Sequence, residues 1–229
     1  RWVDAREAAA IGLATAVVPA DQLDATTADL VAAIVSASAG AVSGTKSLLR
    51  GALRRGYDEQ LAAERTAQVP RIRELAARAD VVVNNFGPGV PERLGIDHAS
   101  LSPLNPRLIT CSLTGFGETG PGSKRPAFDQ IAQGMGGGMS ITGLPESGPM
   151  RSGIPIGDLG GGIFGAIGVL AAIAQREQTG RGQHVDVSML DAQISMLNYM
   201  ATMHLLSGQI PGGIGNTHFV HVPYNSFPT

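Results

Sequence analysis

Glycine is distributed very unevenly along this chain, and this distribution constrains the fold more than any other feature of the sequence. Five of the 31 glycines lie in residues 1–80, and the other 26 follow. Proline shows the same division, with 2 residues up to position 80 and 12 after it. Because both residues destabilise helix interiors, we expect the first third to be helical and the remainder to contain turns and short strands.

The first third carries helix signals at several points. Asp4 is predicted to cap the first helix, which stops at Gly12, and Asp21 is predicted to cap the second. Pro70 is expected to interrupt the last of the four helices. From apolar spacing, these helices are predicted over residues 5–11, 22–38, 42–55 and 57–78.

The remainder of the chain alternates between strand and helix patterns. Apolar runs predict strands over residues 81–83, 108–113 and 184–187. Between and after them, helices are predicted over residues 91–95, 97–104, 128–139, 158–175 and from the third strand to about 207. Because alternating strands and helices are typical of a parallel sheet, the predicted fold class is α/β.

Composition excludes several classes of protein. A net charge of −2 excludes nucleic-acid binding by bulk positive charge. The single Cys111 excludes an intramolecular disulfide and a cysteine metal cage. It lies inside an apolar strand and is expected to be a core residue. The five histidines show no metal-ligand spacing, so no metal site is predicted.

No membrane segment is expected. The longest apolar runs, such as 163–174, are shorter than the ~20 residues that span a bilayer. No signal peptide opens the sequence, so a cytoplasmic location is expected. Since the first residue is Arg and the last is Thr229, the sequence is expected to be a piece of a longer protein.

Asp158 is the residue with the most distinctive surroundings. It begins a predicted helix whose first turn contains three further glycines, Gly160, Gly161 and Gly162, and these leave open space beside its carboxylate. A helix N-terminus favours negative charge, and an accessible carboxylate is a competent nucleophile for an acyl group. The alternative is that Asp158 is an ordinary N-cap on a closely packed helix.

The turn after the first predicted strand is a second candidate. Residues 85–89 form a glycine-rich turn at a strand end, where α/β folds bind ligands. Arg93 follows and is suited to binding a phosphate. The alternative is a tight surface turn with a solvated arginine. A third glycine-rich stretch, residues 134–138, lacks the residues of a P-loop and is expected to serve close helix packing.

Residues 72–229 resemble the family III CoA-transferases, the group that contains formyl-CoA transferase and the carnitine CoA-transferases. The resemblance covers about two thirds of the chain. Because many segments match in order, it is more specific than any single motif. The matching segments are ADVVVNNF (79–86), PGVPERLG (88–95), NPRLI (105–109), GFG (115–117), GP (120–121), GDL (157–159), TGRGQ (179–183) and DVSM (186–189).

The resemblance implies a partial Rossmann-like parallel sheet and a reaction that needs no metal or organic cofactor, with a CoA thioester as substrate. Asp158 would attack an acyl-CoA, giving first a mixed anhydride and then an aspartyl-CoA thioester, before the acceptor carboxylate takes up CoA. The full-length enzyme is expected to be a homodimer. The CoA contacts that carry over from the family are Asn85, Phe86, Gly87, Arg93, Phe128 and Asp129.

Three positions depart from family patterns. The family often has Arg at the position of Gly87, and formyl-CoA transferase has Lys at the position of Pro126, so two cationic CoA contacts are missing. The acyl-CoA racemases of the same family are the alternative function. They have a His at the position of Phe128, and the missing proton-transfer group favours the transferase.

Residues 1–68 resemble a different family, the C-terminal part of an enoyl-CoA hydratase/isomerase (crotonase). The matching segments are VDAREA (3–8), IGL (11–13), VVPA (17–20), TK (45–46), LL (48–49) and ERTAQ (64–68). The two resemblances together imply a helical crotonase tail, 1–69, joined to a transferase segment, 70–229, either by a natural fusion or by a mis-assembled reading frame. A catalytically inactive CoA-binding or assembly fragment is the alternative from another functional class.

Overall fold

The computed structural model describes residues 2–37, 39–52 and 54–228 and divides the chain into two compact units, residues 1–71 and 72–229. No described residue of the first unit is buried. Its local structure therefore owes little to a core of its own and much to helix propensity and capping. The elements in and at the end of this unit are α1 (Ala5–Ala10), a 3₁₀ turn (Ala20–Gln22), α2 (Leu23–Ser36), α3 (Ala39–Ala52) and α4 (Tyr57–Ala76).

Two of the predicted helix ends are confirmed and two helix predictions are wrong. The Asp4 carboxylate accepts a hydrogen bond from the backbone N–H of Glu7 at 2.7 Å, and Gly12 after the helix has φ +74°. Asp21 does not cap α2, because it lies within the 3₁₀ turn that precedes the helix. Helix α4 continues through Pro70 instead of breaking there.

The second unit is built on a parallel three-stranded sheet, which confirms the predicted mixed helix and sheet class. Its strands are β1 (Val81–Asn84), β2 (Ile109–Thr114) and β3 (His184–Ser188), in the order β1-β2-β3. Val83 of β1 is in register with Cys111 of β2, and Cys111 with Val185 of β3. The helices of this unit are α5 (Val90–Leu94), α6 (His98–Leu101), α7 (Asp129–Met135), α8 (Ile156–Thr179), α9 (Met189–Met196) and α10 (Tyr199–Ser207).

Helix α8 connects β2 to β3 and packs against both strands. Glycines on one side allow this close approach. An ideal Cβ at Gly168 would lie 2.6 Å from Cγ1 of Val185. The same atom at Gly165 would lie 3.1 Å from Cδ2 of Leu113. Of the three glycines predicted to open space beside Asp158, only Gly162 does so, because a Cβ at Gly160 would overlap Met196 and one at Gly161 would lie 3.2 Å from Cγ of Met189.

The core of the second unit lies around the sheet. Leu101, Leu108, Ile109, Cys111 and Ala172 are fully buried. Burial raises the pKa of the Cys111 thiol, and the nearby Asp186 carboxylate raises it further. The prediction that Cys111 is a core residue is therefore confirmed.

Helix α8 is also long and apolar enough, with 24 residues, to cross a membrane by length and composition. The helix is longer than the apolar run 163–174 that it contains, because it also includes residues on both sides of that run. Core helices that pass the same test are mostly buried, whereas 28% of the apolar window of α8 is buried, on the side that packs against β2 and β3.

Two glycines of α8 make a matched pair for testing this packing. Gly162→Ala is expected to raise the free energy of unfolding by about 0.5–1 kcal/mol, because alanine is the better helix former and nothing lies within 4 Å of its Cβ. Gly168→Ala is expected to lower it by about 1–3 kcal/mol, because the new methyl group would overlap Val185. Urea unfolding of both variants measures the difference. Equal effects at the two positions would contradict close packing at Gly168.

Candidate active site

A cavity of about 450 Å³ lies at the carboxyl ends of the three strands, wholly within the second unit. This is the edge where parallel α/β sheets bind ligands. The turn after β1, the end of β2 and its following loop, the first turns of α8 and the start of α9 all contribute to its wall. The lining residues are Asn85, Phe86, Gly87, Pro88, Leu113, Thr114, Gly115, Arg125, Pro126, Ala127, Phe128, Asp158, Gly161, Gly162 and Met189.

Five of the seven residues predicted from the sequence line this one cavity. They are Asn85, Phe86, Gly87, Phe128 and Asp158. The other two do not line it. Arg93 is exposed on α5 and makes no side-chain hydrogen bond or ion pair within the part of the chain that the structure describes, and Asp129 is turned toward the backbone of α8.

The turn after β1 is held by side-chain hydrogen bonds. The amide of Asn84 donates to Oγ of Ser112 on β2 at 3.2 Å, and its oxygen accepts from the backbone N–H of Phe86 at 3.3 Å. Gly89 then adopts φ +75°, which favours glycine, and α5 follows. One asparagine thus ties the cavity wall to the neighbouring strand, although the sequence analysis singled out only Asn85.

Asp158 is the third residue of α8 and is exposed to the cavity. The interpretation of Asp158 as the N-cap is wrong, because the helix begins at Ile156 and Pro155 occupies the cap position without a side-chain hydrogen bond. The Asp158 carboxylate has no hydrogen-bond or ion-pair partner among the described residues. It is also the only carboxylate among the residues that line the cavity.

The N-terminus of α8 is capped from another helix, by Asp129. Oδ1 of Asp129 accepts from the backbone N–H of Gly157 at 2.8 Å and from that of Asp158 at 3.3 Å. Oδ2 accepts from the amide of Gln133 at 2.7 Å. The buried Gln133 in turn accepts from the backbone N–H of Ser152 at 2.8 Å. Asp129 therefore fixes the backbone at Asp158, a role that no local sequence signal indicated.

Gly157 allows Asp129 to approach this closely. An ideal Cβ at Gly157 would lie 3.1 Å from both the carbonyl oxygen and Oδ1 of Asp129. On the cavity side, Gly162 has no atom within 4 Å of such a Cβ. The glycines flanking Asp158 therefore serve two purposes, close capping on one side and open space on the other.

Arg125 is a cavity residue that the sequence analysis did not select. It is the only Lys, Arg or His among the lining residues. Its guanidinium carbon lies 5.1 Å from the centroid of the Phe116 ring, within the range of a cation–π interaction. The one sequence signal for Arg125 as a cavity residue is its position in a glycine-rich loop after β2.

A chain of polar side chains crosses the sheet at Thr110, toward the opposite end of β2. Thr110 Oγ1 lies 2.9 Å from Nδ1 of His98 and 2.8 Å from Nδ1 of His184. Nε2 of His184 lies 2.8 Å from the carboxylate of Glu118. Burial lowers the pKa of His98 and the nearby His184 lowers it further, while Asp97 opposes the shift.

This pKa shift predicts the pH dependence of stability. Below the ordinary value of 6.5, His98 of the unfolded chain takes up a proton that the folded chain resists. Stability is therefore expected to be highest above this pH and to fall as the pH drops through and below it. The midpoint of urea unfolding between pH 7.5 and 5.5 measures this. His98→Gln should flatten the dependence, whereas the exposed His204→Gln should retain it.

No metal site is found in the described part of the chain, since no three His, Cys, Asp or Glu residues there are placed to hold an ion. The side chains that line the cavity supply one carboxylate (Asp158), one guanidinium (Arg125), the amide of Asn85, the hydroxyl of Thr114 and apolar groups.

Comparison with known proteins places most of this chain in one group. The family described as CoA-transferase family III matches residues 61–229. The chain is 43% identical over 155 residues to the acetyl-CoA:oxalate CoA-transferase of Acetobacter aceti, covering 67% of this chain and 40% of that protein. It is 42% identical over 158 residues to the succinate–glutarate CoA-transferase of Agrobacterium fabrum, covering 69% and 40%.

A solved structure gives the same result. The crystal structure of a CAIB/BAIF family protein from Brucella suis superposes with a TM-score of 0.66 at 40% identity, covering 69% of this chain and 42% of that one. The chain thus spans about two fifths of the length of the relatives that it matches. The matched family begins at residue 61, and both relatives are named as CoA-transferases. These comparisons therefore do not support the predicted crotonase resemblance of residues 1–68.

Proposed function

Because this chain belongs to CoA-transferase family III, we propose that the protein transfers CoA from an acyl-CoA thioester to a carboxylic acid, with Asp158 as the nucleophile. The observation that carries this proposal is the position of Asp158. Within the segment that matches the family, it is the only carboxylate lining the cavity at the strand ends. Both relatives described above are named for a dicarboxylic acid, so we propose short dicarboxylic acids as substrates.

The first half of the proposed reaction loads CoA onto the protein. An oxygen of the Asp158 carboxylate attacks the thioester carbonyl, the carbon–sulfur bond breaks, and CoA leaves as a thiolate. This gives a mixed anhydride between Asp158 and the acyl group. The thiolate then attacks the Asp158 carbonyl of the anhydride, which releases the donor as a carboxylate and leaves an aspartyl-CoA thioester.

The second half reverses these steps with the acceptor. The acceptor carboxylate attacks the aspartyl-CoA carbonyl, expelling the CoA thiolate and forming a second anhydride. The thiolate attacks the acceptor's carbonyl, which yields the new acyl-CoA and restores the Asp158 carboxylate. No proton or electron is gained or lost over the cycle. We therefore propose that the reaction needs no cofactor besides CoA itself.

The remaining cavity residues have supporting roles in this proposal. Asn85, Phe86, Gly87 and Phe128 line the wall and are proposed to contact CoA. Arg93, exposed and outside the cavity, is proposed to meet a CoA phosphate. Asp129 is proposed to position the nucleophile rather than to touch CoA, because its oxygens are occupied by the N–H groups of α8 and by Gln133.

Racemisation is disfavoured by the side chain at position 128. Phe128 is 82% exposed and contributes an apolar ring where a racemase has a proton-transferring histidine. Two further proposals rest on resemblance alone: residues 1–69 are a crotonase-like tail fused to the transferase segment 70–229, and the full-length enzyme is a homodimer. A cytoplasmic location is proposed as well, because a single cysteine suits a reducing compartment.

Mass spectrometry of the intact chain tests the proposed function. After incubation with succinyl-CoA or acetyl-CoA, we expect a covalent adduct that hydroxylamine removes and that maps to the peptide containing Asp158. An adduct on another residue would contradict the assignment of the nucleophile. A folded chain that forms no adduct with either thioester would show this segment to be a non-catalytic CoA-binding or assembly fragment.

A further inference from the structure

We infer that Arg125 binds the free carboxylate of a dicarboxylic substrate while the other carboxyl group reacts at Asp158. This inference rests on the proposed function and deepens it, because it assigns the residue that distinguishes dicarboxylic from monocarboxylic acyl groups. It names a substrate contact outside the set of residues predicted from the sequence.

The charges that line the cavity carry the first step of the argument. Among the lining residues, Asp158 is the only anion and Arg125 the only cation. The free end of a dicarboxylic acyl group keeps a negative charge after the other end has formed a thioester. Because opposite charges attract and like charges repel, the place of this carboxylate in the cavity is beside Arg125 and away from Asp158.

The local structure holds Arg125 in a position suited to this task. Its backbone N–H donates to the carbonyl of Gly122 at 2.8 Å, which closes a turn, and its guanidinium lies over Phe116. Gly122 leaves room for the ring, since an ideal Cβ there would lie 3.0 Å from Cβ of Phe116. This contact with the ring uses none of the guanidinium N–H groups in a hydrogen bond, so they remain available to a ligand.

Arg125 also lacks a competing partner. It forms no hydrogen bond or ion pair through its side chain with any residue in the described ranges. A planar guanidinium with free edges binds a carboxylate through two parallel hydrogen bonds, which lysine does not reproduce. The free N–H edges of Arg125 thus match the planar, two-oxygen end of a carboxylate.

The inference is tested with two thioesters of equal chain length, succinyl-CoA and butyryl-CoA, which end in a carboxylate and a methyl group. Dissociation constants for both, and for free CoA, are measured by calorimetry on the full chain. All variants carry Asp158→Asn, so that covalent chemistry does not contribute. The test substitutions are Arg125→Gln and Arg125→Lys. Lys124→Gln is the matched control, because it removes one positive charge at the preceding exposed residue, which does not line the cavity.

We expect the chain with Arg125 intact to bind succinyl-CoA about tenfold to hundredfold more tightly than butyryl-CoA. Arg125→Gln should remove this preference, Arg125→Lys should restore only part of it, and Lys124→Gln should leave it intact. An equal loss of affinity for all three ligands would overturn the inference, because it would place Arg125 on a CoA phosphate.

The inference would also be overturned if Arg125→Gln still bound succinyl-CoA more tightly than butyryl-CoA. It would likewise be overturned if the chain with Arg125 intact bound the two thioesters equally or bound neither. The proposed function fails by a different measurement, the covalent adduct on Asp158 in the unsubstituted chain. The two ideas can therefore be rejected separately.

Discussion

Asp158→Asn is expected to abolish the covalent adduct with acyl-CoA and to lower the rate of CoA transfer by at least about 10³-fold. The physical reason is that the carboxamide has the size of the carboxylate but lacks the anionic oxygen that attacks the thioester. The fold should be unaffected, because the Asp158 side chain makes no hydrogen bond or ion pair in the described part of the chain. Intact mass and the rate of CoA transfer from succinyl-CoA to an acceptor acid measure the effect.

Asp191 supplies a matched control for this substitution. It also lies in the first turn of a helix, α9, and is exposed, but it does not line the cavity. Asp191→Asn should therefore form the adduct at the unsubstituted rate. If Asp158→Asn retained a hydroxylamine-sensitive adduct at a comparable rate, another residue would have to be the nucleophile.

Asp129→Ala is expected to lower kcat by about 10²-fold with a smaller change in KM. The substitution removes the acceptor for the N–H groups of Gly157 and Asp158, so the first turn of α8 loses its cap. A nucleophile displaced by about 1 Å costs roughly this factor, even when the altered residue does not touch the substrate. Thermal unfolding is measured beside the kinetics, because losing a cap also costs about 1 kcal/mol of stability.

The conservative variant separates positioning from general destabilisation. Asp129→Asn keeps an oxygen where Oδ1 accepts both hydrogen bonds from α8 but places an N–H group against the Gln133 amide, so it should recover part of kcat. An Asn variant as slow as the Ala variant, with its fold and stability intact, would show that the charge of Asp129 matters and that it acts directly in the chemistry. An unchanged kcat in Asp129→Ala would contradict the positioning role.

The positions of the three strands followed from the sequence because their signals are local. Short apolar runs over 81–83, 108–113 and 184–187 each lie next to turn residues, and each lies within one residue of a strand in the structure. Strands that alternate with helices pair in parallel, so the strand ends and the turn after the first strand were also expected at the ligand edge. Asp158 could also be selected from local sequence, because the glycines near it follow it directly in the chain.

Helix boundaries were less predictable where distant residues decide them. The helix expected from 158 begins at Ile156, because Asp129 supplies the cap from 28 residues earlier in the chain. The single helix expected up to about 207 is two helices, α9 and α10, separated at Asn198 with φ 53°. Hydrophobic periodicity carries no information about a cap on another helix or about such a break.

Residues close together in the chain indicated the α/β class, the parallel strands and the turn at Asn85, and the family resemblance singled out Asp158 as the candidate nucleophile. Tertiary packing, in contrast, turns Asp129 toward α8, leaves Arg93 outside the cavity and brings Arg125 to its wall. Side-chain direction depends on how a loop or helix packs against elements tens of residues away. The charge pair that lines the cavity, Asp158 and Arg125, is a product of that packing.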